Sequence, residues 1–136
     1  MSREPGTLNK IAMVMIAAVD DGTWGTAGYE GLQRIKKLLG VETLISECVP
    51  RAEWESAIRN YASMGCDLVL IHGAELSEAA RSAAMDYPAT LFACVNGAHI
   101  VHNLASFSMD DEALGYLAGA LAARMSVSGV VGHIGG

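Results

Sequence analysis

The sequence predicts an α/β fold: an open parallel sheet with helices on both faces. Three observations carry this expectation. Short β-branched or apolar runs alternate along the chain with stretches of helical periodicity. The connections between them are short, and glycine or proline stands at several of the boundaries. The first apolar run barely alternates in polarity, as expected of a strand covered on both faces of a parallel sheet.

That first strand covers residues 11–17. A helix follows over residues 24–39, where Gly28, Leu32, Ile35 and Leu39 make one apolar stripe and Gly40 supplies the stop. Residues 41–47 form the second strand. Pro50 opens a second helix with a stripe of Trp54, Ala57, Ile58 and Tyr61, and Gly65 ends it. Glu53 and Glu55 lie in its first turn, where they complement the helix dipole. A strand at 68–71 leads to an alanine-rich helix at 76–86, and Pro88 breaks the chain before a strand at 91–95. The glycine-bearing loop 96–102 precedes a strand at 104–108. The last long helix spans 111–125, with Ser108 and Asp111 spaced as a cap. A linker-like Ser-Val-Ser-Gly at 126–129 then leads to a fresh apolar strand at 130–134, Val130 to Ile134. A strand there needs neighbours, so the chain reads as a piece of something longer, or that orphan strand pairs with another copy.

Composition narrows the function. A chain of 136 residues suits one domain. With 51% hydrophobic and 18% charged residues it is a packed globule rather than a disordered segment. The net charge of −6, with basic residues scattered apart from Lys36-Lys37, excludes a nucleic-acid partner. Cys48, Cys66 and Cys94 are too widely spaced for a zinc ligand set or a redox pair, and read as small buried apolar residues. Residues 1–10 lack the apolar core of a signal peptide, and no apolar run approaches the roughly 20 residues of a membrane span.

In an open parallel sheet, ligands bind beyond the carboxyl ends of the strands. Asp20, Asp21, Gly22, Thr23 and Trp24 stand there after the first strand, His72, Gly73, Ala74 and Glu75 after the third, and Asn96 and Gly97 after the fourth. Asp20-Asp21 could hold magnesium, as in a receiver domain, but that also requires an aspartate ending the third strand and a lysine ending the fifth. His72 and Ser108 stand there instead, so a capping turn into the helix is the sounder reading. Gly22, Gly25, Gly28 and Gly31 recur every third residue without the G-x-G-x-x-G spacing, and Trp24 blocks close backbone approach. Gly28 and Gly31 instead suit close helix-to-sheet packing. Glu47, near the expected ribose-binding position, does not by itself make a nicotinamide site. Trp24 has two readings: core packing, or a platform on which a flat heterocycle stacks beside the Asp21 carboxylate. His99 and His102 share a loop but have no third ligand, so no metal is expected. No G-x-S-x-G and no P-loop occurs, and no constellation supports catalysis.

The segments 10–14 (Lys-Ile-Ala-Met-Val), 19–24 (Val-Asp-Asp-Gly-Thr-Trp) and 28–32 (Gly-Tyr-Glu-Gly-Leu) closely resemble the opening of the basic membrane protein family. These are PnrA-like substrate-binding proteins of ABC transporters. The resemblance continues through 65–70, 87–92, 103–106 and 115–123 and ends in Gly-His-Ile-Gly-Gly at 132–136.

The resemblance implies a type I periplasmic-binding-protein clamshell of two flavodoxin-like lobes. Residues 1–9 would be a tail, 10–125 the N-terminal ligand-binding lobe, and 126–136 the hinge and first strand of a second lobe. It further implies a purine nucleoside-like ligand, an ABC permease as partner, no cofactor, and a periplasmic or cell-surface location, often as a lipoprotein. A cytoplasmic regulator using the same lobe as its sensor is the alternative. By resemblance Asp21 binds the base edge, Trp24 stacks on it, and Asn96 stands where an aspartate contacts the ribose. Asp20, His72 and Gly97 complete the expected ligand-binding set. The sequence departs from the family at Gly25, often Asn, at Asn96, often Asp, and at His72 and Glu75, within a run that is usually small and glycine-rich.

Overall fold

Alternation along the first strand decides the layering. In a computed structural model, which describes residues 8–134, β1 (Lys10–Met15) turns Ile11, Met13 and Met15 to one face and Ala12 and Val14 to the other. The first set packs with Leu32 of α1 (Trp24–Leu39) and with Val41. The second set packs with Ile58, Tyr61 and Ala62 of α2 (Trp54–Ser63) and with Ala80, Ala83 and Ala84 of α3 (Ser77–Asp86). Both faces of the strand are covered, which is why its sequence barely alternates.

The remaining strands are β2 (Glu42–Ser46), β3 (Leu68–His72), β4 (Leu91–Val95) and β5 (Leu104–Phe107), followed by α4 (Asp111–Met125). The five form one sheet, ordered β2-β1-β3-β4-β5, and every pairing is parallel. The chain winds outward from β1 to β2, then returns past β1 to β3. The crevice beyond the carboxyl ends of β1 and β3 is therefore the switch point of the sheet.

Several bounds differ from the sequence expectation. β1 and β2 stop early because Cys48 adopts a left-handed φ of 51°, which breaks the ladder between them. Extended Pro50 puts a 3-10 turn, Arg51–Glu53, ahead of α2, and another, Ala74–Leu76, precedes α3. Leu39, at the end of the expected stripe, is exposed because α1 has run past the sheet. The cap of α4 is Asp110 rather than Ser108: its Oδ1 accepts from Ala113 N at 2.9 Å. Cys66 and Cys94 are buried, which pushes both thiols up, but Cys48 is exposed. Residues 130–134 do not form the expected strand. No strand pairs with them among the described residues, and Val130 and Ile134 are exposed.

Two polar braces hold the periphery. Buried Asn103 donates from Nδ2 to the carbonyls of Ala84, Tyr87 and Thr90 at 3.1, 3.0 and 2.8 Å, closing the corner between α3 and β4. Arg59 of α2 reaches Glu55, Ser82 and Asp86, joining α2 to α3.

Candidate functional site

A cleft of about 290 Å³ opens at the switch point, lined by Trp24, Gly73, Ala74, Glu75 and Asn96. Its walls come from three strand ends. Trp24 is the first residue of α1, after β1. Gly73, Ala74 and Glu75 follow β3, and Asn96 follows β4.

Trp24 is half-buried, and its ring stacks on that of His72 with centroids 4.3 Å apart and planes 15° from parallel. His72 itself is buried. Its Nε2–H donates to the Trp24 carbonyl at 2.8 Å, because a carbonyl can only accept. Gly28 makes this possible: a Cβ there would stand 2.7 Å from His72 Nε2. His72 therefore backs the aromatic wall and does not line the cleft.

Asn96 takes the left-handed region at φ 58°, which asparagine tolerates better than most residues. Its Oδ1 is buried with no hydrogen-bond partner among the described residues. A buried acceptor left unsatisfied costs on the order of 1–3 kcal/mol. Gly97 lies beneath: a Cβ there would meet Ser106 Oγ at 2.6 Å and Cys94 at 2.8 Å. Gly73, at φ 146°, is confined to glycine by its backbone.

The loops after β3 and β4 are tied together under the cleft. Ala98 N donates to Ser77 Oγ at 2.9 Å, Cys94 Sγ to the Gly73 carbonyl at 3.7 Å, and Ser106 Oγ to the His99 carbonyl at 2.5 Å.

The two aspartates are placed differently from the rest of the expected set. Both are exposed and neither lines the cleft. The Asp21 carboxylate caps α1: Oδ1 accepts from Thr23 N at 2.7 Å and Thr26 N at 3.1 Å, and Oδ2 from Gly25 N at 2.9 Å. These amide donors, Gly25 foremost, lower its pKa to about 2. Gly25 cannot carry a side chain in this conformation, since a Cβ would lie 2.0 Å from the Ala18 carbonyl oxygen. The polar group that the family often places there is excluded by the closeness of this loop. Glu47 Oε2 accepts from Val19 N at 2.6 Å and so fastens the same loop. His99 pairs with Glu78 at 2.9 Å, and no metal-binding group of three occurs among the described residues. The sequence reading placed Gly73, Ala74 and Glu75 at the ligand-binding end of the sheet but left them out of the expected ligand-binding set, and the structure puts all three in the cleft lining. Their position directly after the third strand was the available signal.

Comparisons with known proteins give the family and the fold. Residues 8–136 match the family described as ABC transporter substrate-binding protein PnrA-like. Transcriptional activator protein med of Bacillus subtilis is 32% identical over 130 residues, covering 95% of this chain and 41% of its own length. Basic membrane protein A of Borreliella burgdorferi is 23% identical, covering 93% of this chain and 38% of its own length. Among solved structures, an ABC transporter system solute-binding protein from Conexibacter woesei superposes with a TM-score of 0.74 at 28% identity, covering 84% of this chain and 39% of that one. The chain thus spans about two fifths of the length of these curated relatives.

Proposed function

This chain belongs to the PnrA-like family of ABC transporter substrate-binding proteins, and on that premise we propose that its cleft captures a flat heterocyclic solute of the purine nucleoside class for import. The observation that carries this reading is the pairing of a backed aromatic plane with an unsatisfied buried acceptor: Trp24, held on His72, lines the same cleft as Asn96, whose buried Oδ1 has no hydrogen-bond partner among the described residues. An aromatic plane suits a purine ring, and a lone acceptor suits an N–H or hydroxyl donor. Asp21 supports the site indirectly, by fixing the turn that presents Trp24. Among the described residues that line the cleft, Glu75 is the titratable one. We read the site as binding its ligand without transforming it, so nucleosides incubated with the protein and phosphate are recovered intact.

By this reading residues 10–125 form a ligand-binding lobe, and 126–136 lead as a hinge toward a second lobe that supplies the opposite wall. The partner is an ABC permease, and the working location is outside the cytoplasmic membrane. A second reading is favoured by the 32% identity to a protein titled a transcriptional activator: the same cleft senses its ligand for a regulator. Labelled nucleoside uptake after gene deletion separates the two, since loss of uptake marks transport and altered transcription with normal uptake marks regulation.

Titration of the chain with adenosine and guanosine, followed by tryptophan fluorescence and calorimetry, tests the site. A ligand in an open cleft keeps one face in water, so saturation is expected only near the millimolar range. Trp24→Ala should fold and lose about 1–3 kcal/mol of binding. A flat titration with every heterocycle, or unchanged affinity in Trp24→Ala, refutes the stacking role.

A further inference from the structure

The cleft is lined by one carboxylate and one indole, and among the described residues no lysine or arginine joins them. Gly73 turns the chain at φ 146°, and Glu75 comes back toward it: a Cβ on Gly73 would stand 3.1 Å from Glu75 Oε2. The carboxylate therefore lies against a buried residue of the lining itself. Its charge also reaches beneath the cleft. The Cys94 thiol, bonded there to the Gly73 carbonyl, is pushed up by burial first and by Glu75 in smaller part.

Glu75 differs from its acidic neighbours in having no cation to neutralise it among the described residues. Glu78 is held by Arg81 and His99, and Glu55 by Arg59, which also serves Asp86. Arg51 lines an adjoining polar pocket that Glu75 shares, but it lies over the Trp54 ring, 5.7 Å from the centroid. No ion pair and no side-chain hydrogen bond engages Glu75 among the described residues. An exposed carboxylate needs no partner for stability. What sets this one apart is its place in the same lining as an aromatic plane.

We propose that Glu75 makes the cleft select heterocycles that carry a positive charge over neutral ones of the same size, and turn away phosphorylated ones. This rests on the reading of the cleft as a site for flat heterocycles, and adds to it the charge of the ring. His72 takes one of the two faces of Trp24. A cation is attracted both to the face of an indole and to an unpaired carboxylate. The two attractions act together only on a ligand that is flat enough to stack and is itself charged. Among purine nucleosides the matching chemistry is a base alkylated on a ring nitrogen, whose positive charge is spread over the stacking plane. A phosphate on the sugar meets the opposite field, and no basic residue of the lining offsets the repulsion.

Calorimetry and tryptophan fluorescence on the 136-residue chain test this with adenosine, N6-methyladenosine, 1-methyladenosine and adenosine 5′-monophosphate. The two methylated nucleosides are isomers, one neutral and one cationic near neutral pH, so their ratio compares charge at equal size. At low salt 1-methyladenosine should bind roughly three- to thirtyfold tighter than N6-methyladenosine, the range that a cation–π contact and an exposed ion pair give together. The monophosphate should bind most weakly. Glu75→Gln, at an exposed side chain, should keep the circular dichroism of the parent and cut the ratio at least about twofold. In the parent the ratio should also shrink as ionic strength rises from about 0.02 to 0.5 M, because salt screens the carboxylate. Equal binding of the two isomers, or a ratio that neither Glu75→Gln nor salt reduces, overturns the proposal and leaves the stacking site standing. Failure of all four to bind overturns the stacking site and the proposal together.

Discussion

Replacing Gly28 with alanine sets two known effects against each other in one helix. An added methyl improves helix propensity by about 1 kcal/mol. At this position the Cβ would stand 2.7 Å from His72 Nε2 and 2.8 Å from Cδ2, inside van der Waals contact with a buried ring. Overpacking of this kind costs about 1–3 kcal/mol. Moving the ring also loses the bond to the Trp24 carbonyl, worth about 0.5–1.5 kcal/mol, and part of the Trp24 stack. The net expectation is a loss of about 1–3 kcal/mol, a fall of roughly 1 M in the urea midpoint with unchanged slope. Gly31→Ala is the control: it meets nothing within 4 Å and should stabilise by about 0.5–1 kcal/mol. Adding His72→Ala completes a double-mutant cycle. In that background Gly28→Ala should turn stabilising, with a coupling energy of about 2 kcal/mol. If Gly28→Ala stabilises the parent chain as Gly31→Ala does, His72 is not packed against α1 and the backing of the aromatic wall is wrong.

Three further outcomes are expected. Asp21 is depressed from 3.8 to about 2, so its contribution is complete above about pH 4 and fades as pH falls toward 2; the gap in thermal midpoint between the parent and Asp21→Asn should be constant near neutrality and close over that acid window. Asn103→Leu strands three carbonyls that now share its Nδ2, and should cost about 2–4 kcal/mol in urea unfolding. A thiol reagent should modify Cys48 rapidly in the folded chain but reach Cys66 and Cys94 only in denaturant, since those two are buried.

The elements that sequence periodicity located best are those whose ends are local chemistry. α1 runs from Trp24 to Leu39 as expected, because its far end is a glycine in the left-handed region. β4 and α4 likewise keep their expected bounds. What stayed illegible depends on distant neighbours. The strand expected at 130–134 needed a partner to pair with. The turn at Cys48 is set by bonds of residues 48 and 49 back to β1 and the loop that follows it. In the site, the positions of Trp24 and Asn96 follow from their places at strand ends. The stack of Trp24 on His72 joins residues 48 positions apart, and no spacing rule reaches that far. Asp21 could be read as a cap from its own neighbours, and the structure uses it as one.

The ties among Ser77, Ala98, Cys94, Gly73, Ser106 and His99 bear on how binding proceeds in time. They leave the two loops under the cleft little freedom to lose when a ligand arrives. The entropy that a mobile loop would surrender on binding was already given up in folding. On the proposed reading, arrival at this wall is a diffusional event without a slow ordering of these loops, and differences among related ligands are expected in how quickly each departs.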